Sequence, residues 1–293
     1  MHYVVFDLEW NNAGKVNKVD PSIAEAMPFE IIEIGAVKLD DQFQVVGRHS
    51  VTIRPRYYPI LTGPVAAVTH RRQQSLKYGL DFIDAANGFF SWCGQDYLFC
   101  TWSESDTAAL KMNLKFYGLA DQLQVRCLDV QYLFDVLVEQ GDMQRSIEYA
   151  VDFLRLPKSQ PFHQAVNDAW YTGQILHQIA RIVHEEQVGL DVIARYAFDP
   201  NLNRAYQFTL AGLATVEAAI LELDRQIPVC PACGAVLQRQ RDWNLDGNRI
   251  LATFSCPVHG RVIGRSRLRR QGPEQVIASV SIQLDRDQMG AQG

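Results

Sequence analysis

The chain has 293 residues and a mass of 33.2 kDa, which is enough for one large domain and a smaller one. Apolar residues make up 47 % of it and charged residues 21 %, a composition that excludes intrinsic disorder, a collagen-like chain and a coiled coil. It contains no run of about 18 apolar residues, so no membrane span is predicted. Its first six residues, MHYVVF, lack a basic segment and a cleavage site, so we expect a cytoplasmic protein.

Charge divides the chain into an acidic body and a basic segment. Residues 1–224 hold 18 Lys and Arg against 28 Asp and Glu, a net charge of −10. Residues 225–272 hold nine Arg, no Lys and two acids, a net charge of +7, and residues 273–293 contribute −2. The distribution indicates either two modules with different surfaces or two separately solvated faces.

Hydrophobic patterning predicts strands first and then an alternation of helices and strands. The predicted strands cover residues 4–9, 31–39, 43–53, 97–102 and 125–128. The predicted helices cover residues 80–93, 107–117, 130–140 and 146–154, and a further helix follows Pro161, with apolar side chains on one face up to Val183. Residues 54–64 are a proline-rich loop. This order predicts an α/β fold with a mixed sheet flanked by helices.

Cysteine spacing predicts a structural metal site near the end of the chain. Cys230 and Cys233 form a CxxC turn followed by glycine, and 22 residues later Cys256 and His259 form a matching turn. Two such turns can supply four tetrahedral ligands to one Zn²⁺, and a site filled by four side chains does no chemistry. A redox pair or chance spacing is the alternative. The other cysteines, in apolar contexts, are expected to be buried thiols.

Four acidic residues, far apart in the sequence, are candidates for catalysis. Asp7 and Glu9 end the first strand on the same face, where two carboxylates repel each other unless a cation lies between them. Asp106 follows the strand at 97–102, where it could instead serve as a helix cap, and Glu104 competes with it for the same role. Asp168 lies in the first turns of the helix after Pro161, close to its apolar face.

His163 precedes Asp168 by five residues, about 140° away on an ideal helix, and is therefore expected in the loop before that helix. An isolated histidine there would more often be a surface or capping residue. Its spacing from Asp168 is the one feature that favours a role other than these.

These motifs together resemble the DEDDh group of 3′→5′ exonucleases in the ribonuclease H-like superfamily. The resemblance covers about residues 1–184 and rests on VVFDLEW at 4–10, TWSESD at 101–106 and HQAVNDA at 163–169. The segment from Leu61 to His70 is similar to a loop that these enzymes carry between the first two motifs. The related group with a catalytic tyrosine is disfavoured, because the corresponding position here is Gln164. The spacing of Trp102 and Asp106 is typical of the RNA-trimming branch that includes histone-mRNA and small-RNA exonucleases.

The resemblance implies the chemistry of the site. Asp7, Glu9, Asp106 and Asp168 would hold two Mg²⁺ or Mn²⁺ ions about 4 Å apart. His163 would act as the general base, since an imidazole can take up a proton near neutral pH. Glu9 and Trp10 would bind the terminal nucleotide, with Trp10 stacking on its base. The expected substrate is single-stranded nucleic acid with a free 3′ end, RNA more than DNA.

The domains expected on this basis are an exonuclease domain (1–184), a helical connector (185–226) and a zinc-ribbon-like β module with an arginine-rich segment (227–293). Arginines after the second metal turn could hold substrate phosphates: Arg261, Arg265, Arg267, Arg269 and Arg270. The module could instead bind another protein or only support the fold. Alternative functions for the whole chain are a DNA proofreading or repair exonuclease, a catalytically idle binding module and a zinc-ribbon adaptor.

Overall fold

The structure is a computed structural model that describes residues 1–69, 71–141, 144–186, 191–246, 249–270 and 275–285. His70 of the predicted loop, residues 187–190 of the predicted connector and residues 286–293 of the predicted zinc module lie outside these ranges. The chain divides into two compact units, Met1–Pro200 and Asn201–Gly293. Among the described residues, no helix has both the length and the apolar character needed to cross a bilayer.

The first unit contains a five-stranded mixed sheet. Its strands are β1 (His2–Asn12), β2 (Phe29–Leu39), β3 (Val45–Thr52), β4 (Tyr97–Thr101) and β5 (Cys127–Asp129). They lie in the order β3-β2-β1-β4-β5. β1 pairs antiparallel with β2 and parallel with β4, and β4 pairs parallel with β5. The predicted α/β fold with a mixed sheet is therefore confirmed.

Helices flank this sheet. They are α1 (Pro21–Ala26), α2 (Gly63–Thr69), α3 (Gln73–Leu76), α4 (Phe82–Cys93), α5 (Ser105–Phe116), α6 (Val130–Phe134), α7 (Ile147–Phe153), α8 (Ala165–Glu185) and α9 (Asp191–Arg195). A wider π-type turn at Asp135–Glu139 continues α6. The predicted cap of α7 is present, because the Ser146 hydroxyl accepts a hydrogen bond from the backbone N–H of Tyr149 at 3.2 Å.

The long helix α8 packs against the sheet and fixes where its first turn lies. Its buried Ile175 and Ile179 share one apolar core with Val5 and Val37 of the central strands. At its beginning the helix backbone runs directly over Gly35 of β2. A Cβ added at Gly35 would lie 2.0 Å from the backbone nitrogen of Val166, so only glycine allows this approach.

The second unit is an antiparallel sheet with one helix. Its strands are β6 (Ala205–Leu213), β7 (Gln238–Asp246), β8 (Arg249–Cys256), β9 (Gly260–Arg270) and β10 (Val276–Leu284), and the helix is α10 (Val216–Arg225). The strand order is β6-β10-β9-β8-β7. The inner face carries the core, in which Trp243 covers Gly264 so closely that an added Cβ there would lie 2.5 Å from the indole ring.

The prediction of helix throughout residues 185–226 was wrong for residues 205–213, which form β6. Half-buried Tyr206, Phe208 and Leu210 alternate with exposed neighbours, which is the period of a strand. β6 pairs antiparallel with β10, more than 60 residues later, and this pairing satisfies its backbone hydrogen bonds. In the described part of the segment, the end of α8 at Glu185 and the short α9 and α10 are helical.

Candidate active site

An open cleft of about 430 Å³ in the first unit brings the candidate residues together. It is lined by Asp7, Leu8, Glu9, Trp10, Pro64, Val65, Val68, Thr69, Trp102, Ser105, Asp106, Ile147, His163 and Asp168. Five separate elements, β1, α2, α5, α7 and α8, contribute to this lining, together with Trp102 after β4 and His163 in the loop before α8. All four carboxylates singled out from the sequence face this one cleft.

Strand pairing places Asp7 and Glu9 on the same face of β1. In the register with β2, Asp7 lies opposite Gly35 and Glu9 lies opposite Glu33. A β-bulge follows between Glu9 and Trp10, so the strand changes its course at the edge of the cleft.

The close approach of α8 to Gly35 brings Asp168 to the same place. Asp168 is buried in the first turn of α8. One carboxylate oxygen from each of Asp7, Glu9 and Asp168 lies within 4.8 Å of the others. Three acids from two elements therefore converge because a glycine lets the helix backbone touch the strand.

Asp106 joins the cluster from the first turn of α5. Its Oδ1 accepts a hydrogen bond at 3.0 Å from the backbone N–H of Leu8, the residue between Asp7 and Glu9. Its Oδ2 lies 3.4 Å from the Ser105 hydroxyl. Glu104 is the residue immediately before α5, and of the two competing acids Asp106 is the one that lines the cleft.

The environment of the cleft disfavours ionisation of the four carboxyl groups. Burial, reinforced by the charges of neighbouring acids, raises the pKa of Asp7 well above its ordinary value. The same causes raise the pKa of Glu9 to about 8. Burial also raises the pKa values of Asp106 and Asp168 to about 7, although a backbone hydrogen bond to each opposes the shift.

The cluster fits divalent cations. Its donors are carboxylate oxygens, the ligands that Mg²⁺ and Mn²⁺ prefer. The Oδ1 atom of Asp168 is buried and has no hydrogen-bond partner among the described residues, so it is free to serve as a ligand. Bound cations would also relieve the repulsion that raises the four pKa values.

His163 lies in the loop before α8, as the spacing predicted. Its backbone has a positive φ of 63°, and its N–H donates to Asp168 Oδ2 at 2.9 Å. The imidazole is half exposed on the cleft, and its Nε2 lies 3.5 Å from Oε1 of Glu148 on α7. The loop therefore fixes the histidine beside the carboxylate cluster through its backbone.

Three charged residues beside the site were missed in the sequence analysis. Glu33 is almost fully buried and pairs with the guanidinium of Arg71, which lies after α2. Within this pair, the charge of Glu33 adds to the rise in the pKa of Glu9, and the charge of Arg71 opposes it. Glu148, the partner of His163, was also missed. The available signal for Glu33 was its position inside the buried strand β2, which also contains Glu30.

A second site lies in the other unit, where the predicted metal turns come together. His259 Nδ1 is 3.6 Å from Cys230 Sγ and 3.7 Å from Cys256 Sγ, and Cys233 Sγ is 3.7 Å from Cys256 Sγ. Tetrahedral Zn²⁺ bound at ordinary lengths separates two sulfurs by about 3.8 Å, whereas a disulfide would require about 2.05 Å. The four side chains fit a zinc ion.

Comparison with known proteins identifies the family. Residues 4–176, more than half of the chain, match the RNase T family of exonucleases. The chain belongs to this exonuclease family. The matched region contains Asp7, Glu9, Asp106, His163 and Asp168, and the predicted relationship to the DEDDh exonucleases of the ribonuclease H-like superfamily is confirmed. No match was found among curated proteins.

Solved nuclease structures have the same fold as the RNase T domain of this chain. Cell-death related nuclease 4 is 17 % identical with a TM-score of 0.52, covering 62 % of this chain and 64 % of its own. The nuclease domain of 3′hExo, a DEDDh family member bound to rAMP, is 14 % identical with a TM-score of 0.53, covering 61 % of this chain and 92 % of its own.

A third similar structure is E. coli exonuclease I in complex with a dA16 oligonucleotide. It is 11 % identical with a TM-score of 0.50, and the match covers 86 % of this chain and 54 % of that one. At these identities the three likenesses establish the fold of the RNase T domain. The chain spans less than two thirds of cell-death related nuclease 4.

Proposed function

We propose that this protein is a metal-dependent 3′→5′ exonuclease that removes nucleotides from single-stranded nucleic acid. The observation that carries the proposal is the convergence of Asp7, Glu9, Asp106 and Asp168 on one cleft within a domain of the exonuclease family. An idle binding domain would gain nothing from four clustered acids, two buried and two half-buried, whose pKa values are all raised.

The four acids are proposed as the ligands of two Mg²⁺ or Mn²⁺ ions. When bound, such a pair activates a water molecule and stabilises the charge on the phosphate and on the departing 3′ oxygen. Asp106 would be held for this task by its hydrogen bond from the backbone of Leu8. Asp168 would be held by the N–H of His163 while its Oδ1 stays available.

His163 is the proposed general base. The oxygen of water attacks phosphorus, the bond from phosphorus to the 3′ oxygen breaks, and the imidazole takes the proton that the water loses. The backbone bond to Asp168 fixes the loop, while Glu148 lies within reach of the ring.

RNA is the proposed substrate, with DNA as the alternative. Motif two supports RNA through its likeness to RNA-trimming enzymes, and 3′hExo was solved with rAMP, whereas exonuclease I was solved with a deoxyoligonucleotide. Trp10 is proposed to stack on the terminal base, with Glu9 beside it. Both line the cleft, as do the apolar side chains of Pro64, Val65 and Val68.

The test uses matched 20-nucleotide single strands of RNA and DNA, each labelled at either end. With Mg²⁺ or Mn²⁺, 5′-labelled RNA should shorten in single-nucleotide steps while the 3′ label is released at once as a mononucleotide. RNA should be digested faster than DNA. Internal cleavage, digestion from the 5′ end or inertness toward all four probes would contradict the proposal, and inertness would favour a binding module.

A structural zinc ion is proposed for Cys230, Cys233, Cys256 and His259. Burial acts to raise the pKa of the Cys256 thiol, but hydrogen bonds from the backbone of Val258 and His259 outweigh it and lower the pKa to about 6. A thiol with a lowered pKa is ionised near neutral pH, and the thiolate is the form that binds a metal. Thiols spaced for a metal also support a reducing compartment, and we propose the cytoplasm.

Cys233→Ser should abolish zinc binding and melt the second unit at a lower temperature. The Cys233 side chain is exposed, so the substitution removes a ligand without opening a cavity in the core. Metal analysis should give one zinc per wild-type chain and close to none for the variant. Cys93→Ala, a buried thiol of the first unit, is the control and should keep the zinc. Wild-type protein that neither contains zinc nor is stabilised by it would refute this assignment.

The domain assignment follows from these two sites. We propose an exonuclease domain at residues 1–184 and a zinc module at residues 227–293. The compact units of the structure divide between Pro200 and Asn201, and β6 belongs to the second sheet. The intervening segment 185–226 is therefore partly built into that sheet.

A further inference from the structure

The outer face of the second sheet carries a group of exposed arginines that the catalytic cleft does not use. Along β9, Val262, Gly264 and Ser266 are buried on the inner face, and the alternate positions point outward. We call the outward group the arginine face. It consists of Arg241, Arg249, Arg265, Arg267 and Arg269. Two of these, Arg241 and Arg249, are distant in sequence from the rest and join them only through strand pairing.

The strand register places like charges side by side on this face. Arg249 of β8 lies directly opposite Arg267 of β9, and Arg265 of β9 lies opposite Leu251 of β8. Directly opposite residues of an antiparallel pair share a face, and two like charges in that relation destabilise the sheet. The placement of Arg249 opposite Arg267 therefore lowers the stability of the sheet, and strand pairing by itself gives no reason for it.

The positive charges of the arginine face are largely not paired with carboxylates of the protein. Other arginines of this unit have acidic partners, since Arg239 pairs with Asp224 and Arg261 with Asp285. Asp246 is the cross-strand neighbour of Arg249, but within the described residues neither it nor any other acid forms an ion pair with the five arginines. A polyanion would supply the missing charge.

The neighbouring side chains suit phosphate groups rather than bases. Arg267 lies opposite Ser279 of β10, and Arg265 lies opposite Ser281. Thr209 and Gln207 of β6 continue these two rows across the sheet. Hydroxyl and amide groups beside arginine are the usual donors to phosphate oxygens. The described outward positions of the five strands include no aromatic side chain on which a base could stack.

We propose that the arginine face binds the phosphate backbone of single-stranded nucleic acid without regard to sequence. The inference rests on the proposed function in one respect, that the same nucleic acid is the substrate. Two arginines of the basic segment are not included: Arg261 has an outward position on β9, but its charge is paired with Asp285, and Arg270 lies opposite the buried Val276. The occupant is identified by charge: a flexible polyanion fits a cationic face whose charges are not paired with acids among the described residues.

The test measures binding apart from cleavage. Asp7→Asn in the full chain serves as the non-cleaving background, and fluorescence anisotropy follows 20-nucleotide single-stranded RNA and DNA of matched sequence. Arg265→Gln with Arg267→Gln should weaken binding about tenfold at 0.15 M salt and reduce the salt slope by about 1.4, because each phosphate contact on a single strand contributes about 0.7. RNA and DNA should be affected alike, since the contacts are to the backbone.

Two controls separate a local contact from a change in charge or folding. Arg181→Gln with Arg225→Gln removes the same charge from exposed helix positions and should leave the affinity within twofold. Arg265→Lys with Arg267→Lys keeps the charge and should retain the salt slope. In the chain with Asp7 intact, the Gln pair should hydrolyse the p-nitrophenyl ester of thymidine monophosphate at the wild-type rate, because this ester is too small to span two sites.

Each outcome has one meaning. Equal weakening by both Gln pairs, or no weakening by the pair on the arginine face, overturns the inference, as does a background protein that binds neither strand. An acidic protein would then be the remaining candidate for this face. Binding that depends on Arg265 and Arg267 in a chain that hydrolyses nothing would uphold the inference and reject the proposed function.

Discussion

Replacing Asp7 with asparagine should lower the rate of 3′-nucleotide removal at least about 10³-fold and raise the melting temperature of the metal-free protein. The two effects have one cause. Asp7 lies at the centre of the carboxylate cluster, and its pKa is raised by burial and then by the charges of Asp106, Asp168, Glu9 and Glu33. A neutral amide removes that repulsion, but it also removes a negative ligand that divalent cations need.

Single-turnover digestion of 5′-labelled RNA measures the loss of rate, and calorimetry without added Mg²⁺ or Mn²⁺ measures the gain in melting temperature. Asp41→Asn, an exposed acid in the turn after β2, removes the same charge outside the cleft and should change neither quantity. An Asp7→Asn variant that digests RNA within tenfold of the wild-type rate would show that this carboxylate holds no catalytic cation.

Local patterns were sufficient to predict most elements of the first unit. The buried residues of β1 form an apolar run, and those of α8 recur with the period of a helix, so both elements can be predicted from the sequence. Ser146, the N-cap of α7, was also predicted from the sequence. The metal turns were predictable for a related reason, because CxxC and CxxH spacing places two ligands on one tight turn.

The contacts that assemble the candidate site depend on tertiary structure. Nothing near Gly35 in the sequence indicates that the backbone of α8 will rest on it, yet that contact brings Asp168 to Asp7 and Glu9. The pairing of Glu33 with Arg71 likewise joins two elements nearly 40 residues apart. Convergence of the four acids followed from the family resemblance and not from any periodicity.

The second unit shows the same division between local and tertiary signals. The sequence revealed an arginine-rich segment, but not which arginines share a face. Strand register adds Arg241 and Arg249 to the surface and separates Arg270 from it. Pairing with β10 likewise makes 205–213 a strand where a helix was predicted.

The second large effect expected of the carboxylate cluster is on stability. In protein without Mg²⁺ or Mn²⁺, the first unit should lose stability as the pH rises from about 4 to about 8. The folded pKa of Glu9 is about 8, and those of Asp106 and Asp168 are about 7, whereas in the unfolded chain all three would lie near 4. The folded state therefore binds more protons than the unfolded state between these values, so the free energy of unfolding decreases with pH.

The expected loss is on the order of 4 kcal/mol, which is what one group contributes when its pKa is raised from about 4 to about 7, at about 1.4 kcal/mol per pKa unit. The four groups titrate together, so their separate contributions do not simply add. For a unit of this size that is a fall of about 10 °C in melting temperature.

Millimolar Mg²⁺ or Mn²⁺ should restore most of the lost stability at pH 8 and little at pH 5, because protons and cations compete for the same oxygens. The double variant Asp7→Asn with Asp168→Asn should have a flatter pH profile and respond weakly to the cations. A wild-type protein that gains stability from pH 5 to pH 8 without divalent cations would mean that the four carboxylates do not share one buried site.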